Sequence, residues 1–215
     1  QRQLDSFSQA GWGVVLYPRW GLELEYLGDA WFERIRFLVE QAASREMEVW
    51  LYDEFCWPSG HAKGLVTEDR KDLAAQFLEV EPDGQSRLVD IPESANLLSP
   101  DATKRFLEVT HERYAAAIGD YFGSCVRAVF TDEPSLAVQH RGRGKATSWQ
   151  LPWSETMEAA LGGDFRQRIA ETHDVAKWSG WRDYWASYSK VLHDSWVAPI
   201  AQWCQAHKIA MTGHL

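Results

Sequence analysis

The sequence predicts an α/β protein built on a parallel sheet. Four short apolar runs recur along its 215 residues, at 13–17, 49–52, 126–130 and 209–212. Each is nearly continuous rather than alternating, as strands covered on both faces are. Segments of helical spacing lie between them, the order that gives parallel strands joined by helical crossovers. Each run also stops on polar or ionisable residues: Tyr17 and Arg19, Asp53 and Glu54, Asp132 and Glu133, and His214.

Residues 3–10 read as the end of a helix stopped by Gly11, ahead of the first strand. A turn through Pro18, Trp20 and Gly21 follows. Between 29 and 45, Trp31, Ile35, Leu38, Val39 and Ala42 fall on one helical face. After the second strand, residues 55–96 form an irregular excursion, with a small hairpin at Asp83-Gly84, a pair that favours a tight turn. Ser99-Pro100-Asp101 starts a helix: a capping hydroxyl, a proline in the first turn, then an acid at the positive end of the dipole. That helix runs to about Tyr121 and stops before Gly123. Beyond the third strand come a polar, glycine-rich loop at 139–150 and a mixed segment. A long helix over 181–206 carries a stripe of Trp185, Tyr188, Leu192 and Trp196 packed on the sheet and is kinked by Pro199. The fourth strand closes the chain.

Four strands are too few to close an eight-stranded barrel, which takes about 250 residues. The predicted fold is therefore a partial (β/α)8 TIM barrel forming a single domain over 1–215, truncated at both ends. An open sheet of flavodoxin type is the alternative. No G-x-G-x-x-G fingerprint supports a nucleotide-binding version of it.

A net charge of -9 argues against a nucleic-acid partner, which needs a basic surface. No apolar run is long enough for a membrane span, and residues 1–10 lack the apolar stretch of a signal peptide. Cys56, Cys125 and Cys204 are widely spaced and odd in number, so they read as buried free thiols. The 12 tryptophans suit either core filling or a sugar-binding cleft, since an indole stacks on the apolar face of a pyranose.

Ligands of barrels and open α/β sheets sit at the C-terminal strand ends, so the carboxylates there are the candidates for chemistry. Acids gathered at one mouth repel, which raises at least one pKa and suits a general acid. Glycosidic cleavage needs that pairing of a protonated acid with an ionised partner. Glu133 is the first choice for the acid, with Asp132 and Glu54 completing the catalytic candidates; either Asp132 or Glu133 could instead cap the following segment. Asp53 and Glu54 could bind a divalent cation, or pair with Arg19. Arg19, Asp53, Trp57, His61 and His214 are the substrate-binding candidates. Trp57 could equally be a loop anchor, His214 a satisfied strand-end histidine, and Trp20 and Trp153 share the ambiguity of Trp57. Trp31 reads as core. His207 and His214 lack metal-ligand spacing, and neither H-E-x-x-H nor G-x-S-x-G occurs, so the sequence assigns no metal and no serine elbow. A metal-dependent hydrolase using Asp53, Asp132 and His214, and a non-catalytic carbohydrate-binding barrel, remain the alternatives.

The strings WLYDEFCWPSGHAKGLV, YFGSCVRAVFTDEPSL and PIAQWCQAHKIAMTGHL, with the opening GWGVVLYPRWGLELEYLGDAWFERIRFLVEQA, together resemble the barrel of bacterial α-L-rhamnosidase-like glycoside hydrolases (family 106 and relatives). The resemblance implies that the four strands are the second to fifth of a barrel, which places Glu133 on the fourth, where many barrel glycosidases carry their acid/base glutamate. It implies a partner carboxylate on a later strand, beyond Leu215, and β-sandwich domains flanking a complete barrel. It further implies a carbohydrate substrate, calcium as the one cofactor to consider, and export from a polysaccharide-degrading bacterium to the periplasm or medium.

Overall fold

The computed structural model describes residues 2–134, 149–172 and 178–214. In chain order these form α1 (Arg2–Gln9), β1 (Val14–Leu16), α2 (Asp29–Ala43), β2 (Val49–Tyr52), β3 (Ala74–Val80), β4 (Ser86–Ala95), α3 (Pro100–Val109), α4 (His111–Ile118), β5 (Val126–Asp132), β6 (Trp149–Trp153), α5 (Glu155–Leu161), α6 (Phe165–Ala170), α7 (Trp181–Leu192), α8 (Ala198–Ala206) and β7 (Ala210–His214). They fall into two compact units. One comprises Gln1–Leu65, Arg105–Pro134 and Ile200–Leu215; the other comprises Val66–Lys104 and Ser135–Pro199. The sequence reading treats the whole chain as one partial barrel, whereas the parallel sheet lies in the first unit alone.

That sheet has the order β1-β2-β5-β7, all neighbours parallel. Strand order follows chain order without reversal, so these four strands contain no topological switch point of the flavodoxin kind. An α/β architecture with consecutive parallel strands and helical crossovers is established; among the described residues the sheet is four-stranded and open. Period-2 alternation gives it two unlike faces. Leu51, Val129 and Met211 share a row on one face, and Tyr52, Phe130 and Thr212 share the next row on the other. The Leu51–Val129 face meets the helices, where Ile35, Val39, Tyr114, Ile118, Ile200 and Cys204 are buried. The Tyr52–Phe130 face is only partly covered: Val15 and Tyr17 at β1 are exposed, and Phe130 and Thr212 are half-buried. Burial on both faces, as the apolar runs predict, therefore fails for the outer strands. The predicted helix over 99–121 is broken at Thr110, whose hydroxyl bonds the Phe106 carbonyl (2.6 Å) instead of leaving the backbone to continue alone. Gly11 ends α1 in the left-handed region, as predicted (φ 72°).

The second unit carries an antiparallel sheet of order β4-β3-β6. The Asp83-Gly84 turn is where the sequence places it, with Gly84 at φ 88° and its N–H bonded to the Glu81 carbonyl. The hairpin it closes is far longer than the small one predicted, pairing Ala74 with Ala95 at its far end. Ser154 caps α5, its hydroxyl accepting from the Met157 N–H (3.0 Å). Trp153, Phe165 and Tyr184 are buried in ring contact, so Trp153 is core. The predicted stripe of the long helix is shifted: Tyr184, Val191 and Trp196 are buried, while Trp185 is half exposed. A π turn at His193–Val197 displaces the register just ahead of Pro199, which has no N–H to donate. All three cysteines are free and buried, as predicted. Residues 139–148 of the polar loop lie outside the described residues.

Candidate functional site

The C-terminal ends of β2, β5 and β7 in the first unit hold the ionisable residues that the sequence singles out, but on different faces. Asp132 extends the row of Tyr52 and Phe130, on the open face. The β5–β7 register sets it opposite His214, whose Nδ1 lies 3.0 Å from Asp132 Oδ1. Because a carboxylate only accepts, the imidazole donates from Nδ1. The Tyr52 hydroxyl donates to Asp132 Oδ2 (2.7 Å). Burial, together with that hydrogen bond, pushes the Tyr52 pKa well above the tyrosine range, so the hydroxyl stays a donor. Glu133 follows in a left-handed conformation (φ 43°), its N–H bonded to the His214 carbonyl (3.0 Å) and its Oε2 accepting from the Trp57 indole N–H (2.9 Å). Ligand atoms of Asp132, Glu133 and His214 all lie within 4.8 Å of one another.

Three donors on two adjacent strand ends can hold a metal ion. Tetrahedral ligands about 2.0–2.2 Å from a shared ion stand about 3.3–3.6 Å apart, so the widest pair must close by roughly 1–1.5 Å of side-chain movement. Glu133 and His214 are exposed enough to make it. Two carboxylates plus an imidazole suit zinc, manganese or iron better than calcium, which prefers an all-oxygen shell. Three protein ligands also leave positions open for water and substrate.

Asp53 and Glu54, by contrast, are sealed in. Asp53 follows Tyr52 by one residue and so turns to the helix face, where it is 1% exposed. Its Oδ1 accepts from the Ser59 hydroxyl (2.6 Å). Burial is the largest influence on it, reinforced by the neighbouring Glu54 and offset by Ser59; its pKa is pushed up to about 8. The rise expected from acids crowded at one mouth thus occurs, by burial and away from the rim. Glu54 is a loop anchor. Its Oε1 accepts from the N–H groups of Phe55 and Lys63 (both 2.8 Å), and its Oε2 from Gly60, His61 and Ala62 (2.7–3.1 Å). Burial raises its pKa, and those N–H groups pull the other way. A carboxylate engaged by five backbone donors and 2% exposed is not presented at the rim with Asp132, so Glu54 leaves the catalytic set.

Of the binding candidates, Trp57 and His214 stand at the cluster. Arg19 reaches over the Tyr17 ring (5.6 Å) instead of pairing with Asp53 or Glu54. His61 is buried, and its backbone N–H is one of the Glu54 donors. Trp20 is exposed. Sequence reasoning missed Tyr52 and Ser59. Tyr52 carried a signal, since period-2 spacing puts it on the face opposite to Asp53; Ser59 carried none.

Beneath the sheet, His111 is buried against Trp203 (ring centroids 4.9 Å). The Thr110 hydroxyl gives its proton to Phe106, so His111 Nδ1–H donates to Thr110 Oγ1 (2.8 Å). Burial, then the nearby His207, lowers the His111 pKa to about 3. The two shifts act on stability in opposite senses. Folded Asp53 keeps a proton that the unfolded chain releases above 3.8, so stability falls as pH rises from there to about 8. Folded His111 refuses a proton that the unfolded chain takes up below 6.5, so stability falls as pH drops from 6.5 toward 3. Above pH 6.5 only the Asp53 effect remains of the two. Urea unfolding of Asp53→Asn between pH 6.5 and 8 should therefore show a stability slope shallower than wild type by up to about 1.4 kcal/mol per pH unit. Parallel slopes would place the Asp53 proton elsewhere.

Comparison with protein-family models, curated proteins and solved structures returned no match. No helix among the described residues is long and apolar enough to cross a membrane.

Proposed function

We propose that the first unit carries a metal-dependent hydrolase centre in which Asp132, Glu133 and His214 bind a divalent cation. The observation that carries this reading is the convergence of three ligand groups within 4.8 Å at adjacent strand ends. A cation there would lower the pKa of a bound water and polarise a substrate oxygen. A bound cation would take the place of the Nδ1 proton between His214 and Asp132, the imidazole keeping its proton on Nε2, and Tyr52 would hold Asp132. Titration of chelator-treated protein with Mn2+, Zn2+ and Ca2+ is expected to show one site per chain, tighter for the transition metals. His214→Ala should weaken it about 100-fold. Wild-type protein that binds none of the three ends the cation reading.

A second reading, favoured by the Trp57 indole on Glu133 (2.9 Å) and by the exposed rings of Tyr17, Trp20 and Trp57 in the same unit, is glycoside hydrolysis with Glu133 as acid. The resemblance to α-L-rhamnosidase-like enzymes supports it and would bring a carbohydrate substrate and a role for calcium. Aryl glycosides, α-L-rhamnoside first, assayed with and without chelator separate the two: turnover that survives chelation and is lost in Glu133→Gln belongs to the acid.

A further inference from the structure

The loop that follows β2 holds the tip of β5 at three points. The Ser59 N–H donates to the Asp132 carbonyl (2.9 Å), and the Asp132 N–H donates to Ser59 Oγ (2.8 Å). The Trp57 indole N–H reaches Glu133. A serine hydroxyl has one proton, and here it goes to Asp53 Oδ1 (2.6 Å), which turns the oxygen lone pairs toward the Asp132 amide. Asp53 thereby sets the direction of a relay that ends on the backbone of a proposed ligand. The loop itself is strained: Cys56, Ala62 and Lys63 are non-glycine residues at positive φ, and Glu133 is a fourth. Five N–H bonds to Glu54 keep it in that shape. Backbone strain of this kind gathers where surrounding structure over-determines a geometry that is put to use.

We infer that Trp57 and Ser59, aimed by Asp53 and Glu54, form a positioning clamp that presets Asp132 and Glu133 for the cation. The clamp rests on the cation reading for its purpose, though not for its existence. None of the four side chains is a ligand; Ser59 and Asp53 act through Asp132, and Trp57 acts through Glu133.

Two measurements on the full chain test it. In cation-free protein, ring 15N NMR reads the His214 tautomer, which should be Nδ1–H while Asp132 is held. Mn2+ titration reads the assembled site. Ser59→Ala and Asp53→Leu should both shift His214 toward a tautomer mixture and weaken Mn2+ binding about tenfold or more. Asp53→Asn, whose amide oxygen still accepts from Ser59, should restore the wild-type tautomer and affinity. Trp57→Phe should weaken Mn2+ binding and leave the tautomer unchanged, because it releases Glu133 alone. A lowered melting temperature in these variants with tautomer and affinity unmoved would mean a purely structural loop and overturn the clamp. Should wild-type protein bind no Mn2+, the cation reading fails by itself. The tautomer arm then still decides the clamp: a shift in Ser59→Ala upholds it, and no shift ends it.

Discussion

Glu54→Ala is expected to destabilise the first unit by about 5 kcal/mol. Five backbone donors share that one carboxylate, and each abandoned buried N–H costs at least about 1 kcal/mol. Partial rehydration of Phe55 and Lys63 limits the loss, while release of the positive-φ residues Ala62 and Lys63 unravels the segment further. Charge matters as well as shape. The fivefold N–H nest supplies the positive potential that lets an acid sit 2% exposed with no cationic side chain hydrogen-bonded to it among the described residues. Glu54→Gln, which turns an NH2 group toward donors, should lose about half as much. Urea unfolding checks the size, and amide exchange at Gly60, His61 and Ala62 checks the place: fast exchange at those three in the variants is expected. A fold as stable as wild type would show that the nest does not hold the loop.

Gly213→Ala should be nearly as damaging, for a steric reason. Gly213 sits in β7 at φ 141°, a region that side chains rarely enter, and an added Cβ would stand 1.8 Å from the Thr131 carbonyl oxygen. Thr131 lies in β5 between two partner strands and is fully buried, so it cannot retreat. β7 must peel away instead, taking with it the pairings of Thr131 with Gly213 and Asp132 with His214, and the bond from the Glu133 N–H. A loss of about 3–4 kcal/mol is expected, in the range of strained or overpacked core substitutions. Cation affinity should fall with it, since His214 leaves Asp132. Retention of full affinity in a folded Gly213→Ala protein would detach the site from the strand pairing.

Much of this was legible in residue order. The apolar runs at 49–52 and 126–130, each closed by acids, identify two central strands and the ionisable residues at their ends. Asp132 and Glu133 were reached that way, and His214 through the run at 209–212. The turn at Asp83-Gly84, the start at Pro100 and the free thiols were equally readable, because each depends on a few neighbouring residues. Glu54 was misjudged for the complementary reason. A strand-end acid in a sequence looks the same whether it faces substrate or five amides arriving from residues 55–63.

The sequence by itself determined the alternation of strand and helix, the parallel class of sheet, and which residue types stand at the strand ends. Only the tertiary structure decided which face of that sheet was covered by helices. Period-2 geometry puts Tyr52 and Asp53 on opposite sides but does not say which side is open. Helix packing settled it, burying Asp53 and leaving Asp132 with His214. The pairing of β6 with β3, residues some seventy positions apart, belongs to the same category. Long-range contacts of this kind depend on which surfaces are left to bury once local structure has formed, and no local pattern records that choice.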